Sequence, residues 1–274
     1  MGFCENRRLM MSRWCKSLLC VCVSAMSLPG WAAEPDGAPA TGWVESAKTD
    51  LRALPDRLKA DAKATFLHND NLALLAWAGL VSVAMHNGGA DRDVADHFDK
   101  HERFHNGVGE TLNVVGSPAC HFPAAALWYV VSANEQDEIN RQRAVTMLSA
   151  LTINGAVTGA LKAVRQNDQP DGDIWAWPSG HTSSSFTVAS VLHEFYGLKV
   201  ALPAYLGAGA VAWRMMDQGD HWASDVVFGA CLGWVVGHTV ARNHKGPEIA
   251  GFDVLPYYGN HREPAVGIHL LRQF

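Results

Sequence analysis

The chain alternates long apolar stretches with short segments that contain charged residues, glycine or proline. Six apolar stretches follow one another: Leu72 to Met85, Pro123 to Val131, Ala144 to Val164, Phe186 to Leu198, Val200 to Met216 and Val226 to Val240. The apolar–polar alternation of strands is scarce before the C-terminus, where Phe252 to Tyr258 and Ala265 to Leu271 could pair. The pattern therefore predicts an all-α helical bundle followed by a short C-terminal β-hairpin.

The N-terminus has the three parts of a secretory signal. A basic region precedes the apolar run Ser17 to Leu28, which is too short to span a bilayer comfortably. A Pro-Gly pair then breaks the helix, and Ala32 and Ala33 offer a cleavage site. We expect residues 1–33 to be a signal peptide that exports the protein to the periplasm. An uncleaved membrane anchor is the alternative.

The rest of the chain is long enough for one sizeable domain. Residues 34–45 are rich in Pro, Gly and Ala and are predicted to form a flexible lead-in. A helical domain is expected over residues 46–248, followed by a C-terminal extension over residues 249–274. Outside the signal peptide only Cys120 and Cys231 remain, which leaves open a disulfide between them or two buried free thiols.

Composition limits where the helices could lie and what the protein could bind. Several apolar stretches carry no Asp, Glu, Lys or Arg over about 16 to 20 residues, close to the length that spans a bilayer. However, Ser, Thr, Asn, His and Gly dilute them, and the mean hydropathy is only -0.03. This favours a soluble bundle and leaves peripheral membrane contact open. The net charge of -5 disfavours a nucleic-acid partner, which normally meets a basic surface.

Three polar segments follow one another in the second half of the domain. The first begins at Lys162, near the end of a predicted helix, and runs through Arg165 to a Pro-Asp-Gly turn. The second is the run Pro-Ser-Gly-His at 178–181. Its turn opens the next helix and presents free backbone N–H groups and the positive end of the helix dipole. Such a helix start suits a phosphate group.

The third segment contains Arg214, at the end of an apolar stretch, and then His221 and Asp225. The spacing of His221 and Asp225 places them on one face of a predicted helix, so the carboxylate can hydrogen-bond the imidazole and fix its tautomer. Taken alone, this pair would favour a simple surface hydrogen bond. Arg214 favours a binding role, since a charge after a long apolar run needs a partner.

Together the three segments supply what phosphoryl transfer requires of a protein. Charge on the phosphoryl oxygens needs fixed cations and N–H donors. We call this set of cations and donors the phosphate cradle. It could consist of Lys162, Arg214 and the Ser179-Gly180 turn. A nucleophile and an acid for the leaving oxygen are also needed. His221, oriented by Asp225, could be the nucleophile, and His181 could be the acid. No metal is required, because the cations supply the positive charge.

The ordered set resembles the signature of the superfamily that unites type 2 phosphatidic acid phosphatases (PAP2), bacterial non-specific acid phosphatases and vanadium haloperoxidases. That signature reads Lys-x6-Arg-Pro, Pro-Ser-Gly-His and Ser-Arg-x5-His-x3-Asp, and the match covers residues 162–225. The resemblance implies a helical domain in which His221 forms a phosphohistidine, His181 is the acid and Asp225 orients the nucleophile. It also implies the phosphate ligands Lys162, Ser179, Gly180 and Arg214.

The chain departs from that signature at two places. Gln169 stands where the family has Arg, and Gln cannot offer a charged bidentate fork to a phosphate. Arg165 is close in sequence and is the candidate replacement. Six residues rather than five separate Arg214 from His221, and an inserted residue in the loop 217–220 could absorb the difference.

We therefore expect an exported, metal-independent phosphomonoesterase that acts without a cofactor on a lipid-linked or soluble phosphate. A vanadate-dependent haloperoxidase shares nearly the whole cradle and is an alternative. A degenerate protein that binds phosphate-bearing ligands without turnover is another, motivated by Gln169 and the altered spacing. His97, His101 and His105 recur at helical spacing, but a solvated polar face explains them more simply than a metal site.

Overall fold

The structure is a computed structural model, and it describes residues 42–104, 107–246, 248–249, 252–258 and 266–272. The predicted signal peptide and residues 34–41 of the predicted lead-in lie outside the described residues. A helix already begins at Gly42, so the lead-in prediction is wrong for residues 42–45. Glu45 in the first turn favours this start, because a negative charge stabilises a helix N-terminus.

Helices make up nearly all of the described chain, which confirms the all-α prediction. In order they are α1 (Gly42–Phe66), α2 (Asn69–Asn87), α3 (Ala90–Lys100), α4 (Gly107–Val115), α5 (Pro118–Asn134), α6 (Glu138–Arg165), α7 (Gly180–Tyr196), α8 (Leu198–Asp217) and α9 (Ala223–His244). The six apolar stretches of the sequence fall on α2 and on α5 to α9.

The core of the bundle lies between α6, α7 and α9. Leu151 of α6, Val191 of α7, and Leu232 and Val236 of α9 are almost fully buried in one apolar cluster. Burial of each such side chain contributes about 1.5–3 kcal/mol to stability. This packing brings the end of α6 and the starts of α7 and α9, which carry the three polar segments, to one end of the bundle.

A seam of glycines lets α9 approach α7 very closely. A Cβ atom at Gly229, Gly233 or Gly237 would lie only 2.8, 2.1 or 2.6 Å from a backbone carbonyl oxygen of α7 or its N-cap residue. These glycines are four residues apart and therefore share one face of α9. Such spacing of small residues is typical of helices whose backbones touch. The seam fixes the start of α9 against the start of α7.

The C-terminal strands form a small antiparallel sheet in the order β1 (Glu248–Ile249), β2 (Phe252–Tyr258) and β3 (Val266–Arg272). The pairing of β2 with β3 runs from Phe252 with Arg272 to Tyr258 with Val266. The predicted hairpin is therefore confirmed, and β1 adds a short third strand that the sequence pattern did not indicate.

Two described helices, α6 and α9, are long and apolar enough to cross a membrane. If each of two bent helix pairs is counted as one further span, the described residues contain up to four. Large apolar side chains are also exposed on α2 and α8. Trp77, Leu80, Leu202 and Leu206 are each at least 61% exposed. A soluble bundle would bury such side chains, so that prediction is not confirmed. Both features indicate association with a membrane.

Cys120 and Cys231 are both free and half-buried. Of the two alternatives left open by the sequence, the structure therefore has free thiols and not a disulfide.

Candidate active site

The start of α7 lies beside the start of α9. Ser179 caps α7, since its Oγ accepts a hydrogen bond from the Thr182 N–H at 3.4 Å. The sequence suggested a free Ser179 N–H, but this group donates to the carbonyl oxygen of Asp225 at 3.1 Å. The donors left for a ligand are the N–H groups of Gly180 and His181, because the first turn of a helix has no internal acceptors for them.

His221 does not lie on a helix, contrary to the prediction from its spacing. Helix α9 begins at Ala223, with Trp222 as its N-cap residue. The Asp225 carboxylate accepts the Trp222 N–H at 2.9 Å, and the chain turns there. His221 is nevertheless close to Asp225: its Nδ1 lies 3.4 Å from Asp225 Oδ2 and has no hydrogen-bond partner among the described residues. The carboxylate can still orient the imidazole, because catalytic contacts often tighten only when substrate binds.

The end of α8 carries Arg214 towards His221. The His221 N–H donates to the Met215 carbonyl oxygen at 3.0 Å, which ties the loop 217–220 back to the helix. The extra residue of the third segment lies in the stretch between Arg214 and His221. Arg214 is only 8% exposed and forms an ion pair with Asp220, while its Nε has no hydrogen-bond partner in the described part of the chain. The cradle therefore contains a buried cation with unused donor capacity.

His181 shares its electrostatic environment with the other candidate residues. Burial, together with the positive charges of the nearby His221, Arg214, His121 and Lys162, lowers the pKa of His181 to about 4. The structure thus brings together the histidines and cations that the three segments supplied. His181 is neutral at pH 7 in this state. A bound phosphate would raise its pKa, since a nearby negative charge favours the protonated ring.

Lys162 reaches from the last turn of α6 to the loop before α7. Its Nζ donates to the Ala176 carbonyl oxygen at 3.1 Å and also to the Trp175 carbonyl oxygen. Helix α6 ends at Arg165 because Gln166 adopts the left-handed conformation, with φ 46°. The Lys162 ammonium therefore holds this loop in place.

Gln169 and Arg165 are the two residues that bear on the missing arginine of the signature. The Gln169 Nε2 donates to the Ile174 carbonyl oxygen at 3.3 Å, so this side chain stabilises its own loop. Arg165 is exposed and lines a pocket of about 230 Å³ together with His86, Trp177 and other residues. Asp225 borders this pocket, but His181, His221 and Arg214 are not among its described lining residues. The structure therefore gives no support to Arg165 as a replacement for the family's arginine.

Sequence reasoning missed Asp91, which lies behind the site on α3 and is 2% exposed. Its carboxylate accepts hydrogen bonds from the Ser224 N–H at 2.9 Å and the Ser224 Oγ at 2.6 Å. His86 Nδ1 lies 3.0 Å from the same carboxylate. Asp91 thus stabilises the first turn of α9, from which Asp225 projects. No sequence signal indicates this contact, because 133 positions separate the partners.

We expect Asp91→Ala to lower both stability and turnover. The substitution leaves the buried Ser224 N–H without an acceptor, which costs about 1–3 kcal/mol. It also loosens the turn that holds Asp225, so kcat should fall more than KM rises. Thermal unfolding would measure the loss of stability, and steady-state phosphate release would measure kcat and KM. Asp93→Ala, on the exposed face of α3, is the control. A variant with lowered stability but unchanged kcat would contradict a positioning role.

The histidine stripe of the sequence does not form one helical face. Helix α3 ends at Lys100, so His101 lies outside it, although the rings of His97 and His101 stack at 4.8 Å. His105 lies outside the described residues. Within the described residues, no group of three or more His, Cys, Asp or Glu side chains could hold a metal ion.

The fold and the site define an all-α protein with a cationic, histidine-containing cradle at one end of its bundle. Residues 143–246 match the sequence model of the PAP2 superfamily. This match confirms the resemblance of the three segments to that superfamily. The matched region includes every candidate site residue that the sequence identified.

One curated protein and two solved structures are similar to parts of this chain. The chain is 32% identical over 91 residues to a lipid A 1-phosphatase of Porphyromonas gingivalis, a match that covers 32% of this chain and 20% of that protein. It thus spans about a fifth of the length of this relative. A transmembrane PAP2-type phosphatidylglycerolphosphate phosphatase of Bacillus subtilis has the same fold, with a TM-score of 0.52 and 17% identity over 62% of this chain and 92% of that one. LpxE of Aquifex aeolicus matches with a TM-score of 0.45 and 19% identity over 54% of this chain and 93% of that one.

Proposed function

We propose that the protein is a membrane-associated phosphatase that hydrolyses lipid phosphomonoesters without a metal ion, through a phosphohistidine at His221. The observation that carries this proposal is the common environment of His181, His221, Arg214 and Lys162 at the start of α7. Cations and helix N–H groups there can stabilise the charge of a transferring phosphoryl group.

The reaction divides between the two histidines. His221 would attack the phosphorus atom with the nitrogen that does not face Asp225, while the carboxylate stabilises the charged imidazole. His181 would protonate the leaving oxygen, having gained its proton when the phosphate bound. A water molecule would then attack the phosphohistidine, with His181 as the base. Phosphate and the free alcohol are the products.

A lipid substrate is supported by the surface around the bundle. The apolar side chains on α2 and α8 and the two membrane-compatible helices would place the domain at a bilayer. The similarity to a lipid A 1-phosphatase points to the same class of substrate. The predicted signal peptide would deliver the site to the periplasm.

Phosphate release by the full chain in detergent micelles tests this proposal. We expect release from a lipid phosphomonoester to persist in EDTA and to exceed release from a soluble aryl phosphate in kcat/KM. Brief incubation with ³²P-labelled substrate should leave an acid-labile, base-stable label on the protein. Loss of activity in EDTA, or turnover with no such label, would contradict the mechanism. Phosphate binding without turnover would instead identify a binding protein.

A further inference from the structure

Asp220 contacts one of the proposed phosphate ligands. Its carboxylate pairs with Nη1 of Arg214, the guanidinium that the motif assigns to phosphate. A guanidinium as buried as this one needs an acceptor. That acceptor is the Asp220 carboxylate, which offers a guanidinium the same kind of anionic edge as a phosphate does.

The loop that carries Asp220 is able to release the contact. The Asp220 side chain is 33% exposed, so it can turn towards solvent without passing through the core. The preceding Gly219 has φ +71°, a conformation that glycine adopts without strain. Its carbonyl oxygen accepts the Asp171 N–H at 3.3 Å, which anchors the loop next to Asp220.

We propose that Asp220 is an internal competitor for the phosphate subsite: it holds Arg214 while the site is empty and gives it up when a phosphoryl group binds. The carboxylate therefore weakens phosphate binding. It also lowers the affinity for the phosphate product, which then leaves the site more readily. This inference rests on the proposed function only in requiring that the cradle binds phosphate. The contact involves the loop 217–220, the stretch in which the extra residue between Arg214 and His221 lies.

The competition depends on pH. The charged groups that face Asp220 are Arg214 on α8, His221 directly after it, and Asp171 on the loop before α7. Burial raises the pKa of Asp220, and Asp171 adds to this, although Arg214 and His221 act in the opposite direction. A protonated Asp220 no longer competes for Arg214. Phosphate affinity should therefore rise as pH falls through the raised pKa of Asp220.

Binding of inorganic phosphate to the full chain in detergent, measured by calorimetry between pH 5 and 8, tests the proposal. Asp220→Asn keeps the shape but removes the charge, and we expect it to lower Kd about tenfold at pH 7.5, since a like charge near the ligand disappears. The gain should shrink as pH falls, because the parent's Asp220 becomes neutral. Asp220→Ser is the second variant, in case the first does not fold. Asp173→Asn, an exposed acid on the loop before α7, should leave Kd unchanged.

Unchanged or weaker phosphate binding by folded Asp220→Asn at pH 7.5 would overturn the proposal, because Asp220 would then orient Arg214 and not compete for it. A tenfold gain in Asp173→Asn as well would also overturn it, since the effect would be one of overall charge. Calorimetry does not require turnover. If no lipid phosphate is hydrolysed but Asp220→Asn still tightens binding, the proposed function fails and the competitor role stands.

Discussion

Replacement of His221 by alanine should lower phosphate release at least about 10³-fold, since both a nucleophile and its proton chemistry are lost. The backbone at this position is held by the Met215 carbonyl oxygen and the neighbouring Trp222 N–H by Asp225, so the loop should keep its shape. The remaining cations could still position a water molecule, which would account for residual hydrolysis. Initial rates on the best lipid substrate would measure the change.

The His221→Ala result needs a control for histidine removal in general. His68 lies between α1 and α2 with its side chain exposed, and His68→Ala should retain full activity. Phosphate binding to His221→Ala, measured by calorimetry, should be within a few-fold of the parent, because Arg214 and Lys162 are intact. Activity of His221→Ala within tenfold of the parent would exclude His221 as nucleophile and with it the phosphohistidine.

The substitution Gly233→Leu should disrupt the fold around the site. A Cβ atom at Gly233 would lie 2.1 Å from the Ser183 carbonyl oxygen and 3.0 Å from the Phe186 Cβ, so α9 would have to move away from α7. Overpacking of this kind costs typically 1–3 kcal/mol, and contact with rigid backbone places this site at or above the upper end. The hydrogen bond from the Ser179 N–H to the Asp225 carbonyl oxygen crosses the same seam, so the phosphate cradle should be disrupted as well.

The melting temperature and the rate of phosphate release of Gly233→Leu should therefore both be lower than those of the parent. Gly207→Ala is the matched control, because a Cβ atom at Gly207 in α8 meets no atom within 4 Å. That change should be neutral or should stabilise the protein by about 0.4–1 kcal/mol, since alanine restricts the unfolded chain. A Gly233→Leu variant with the parent's melting temperature and activity would show that the two backbones do not need this close approach.

The sequence predicted the fold class and the start of α7 because both depend on local patterns. Long apolar stretches identified α2 and α5 to α9, and alternation identified the β2–β3 pair, since side chains project alternately to the two faces of a strand. The Pro-Ser-Gly-His run indicated a helix start at which Ser179 is the N-cap, and the structure has α7 begin there. These features need no knowledge of distant partners.

The sequence misjudged positions at which a contact across the bundle overrides the local pattern. The spacing of His221 and Asp225 suggested one helical face, but the Asp225 side chain caps the Trp222 N–H and starts the helix after His221. The Ser179 N–H looked free, but the neighbouring helix supplies its acceptor. The low mean hydropathy favoured a soluble bundle, but an average over the chain does not show which helix faces are exposed. The exposure of Trp77 and Leu206 depends on how the helices pack.

Sequence by itself thus determined the all-α fold class and the resemblance to the PAP2 superfamily, with two histidines, an arginine and a lysine as candidate site residues. Only the tertiary structure decided that Asp91 supports the start of α9, that Asp220 holds Arg214, and that Gln169 stays within its own loop. The reason is physical: side-chain periodicity and helix capping act over a few residues. Hydrogen bonds and ion pairs around a buried charge depend instead on which segments the packing of α6 to α9 brings together.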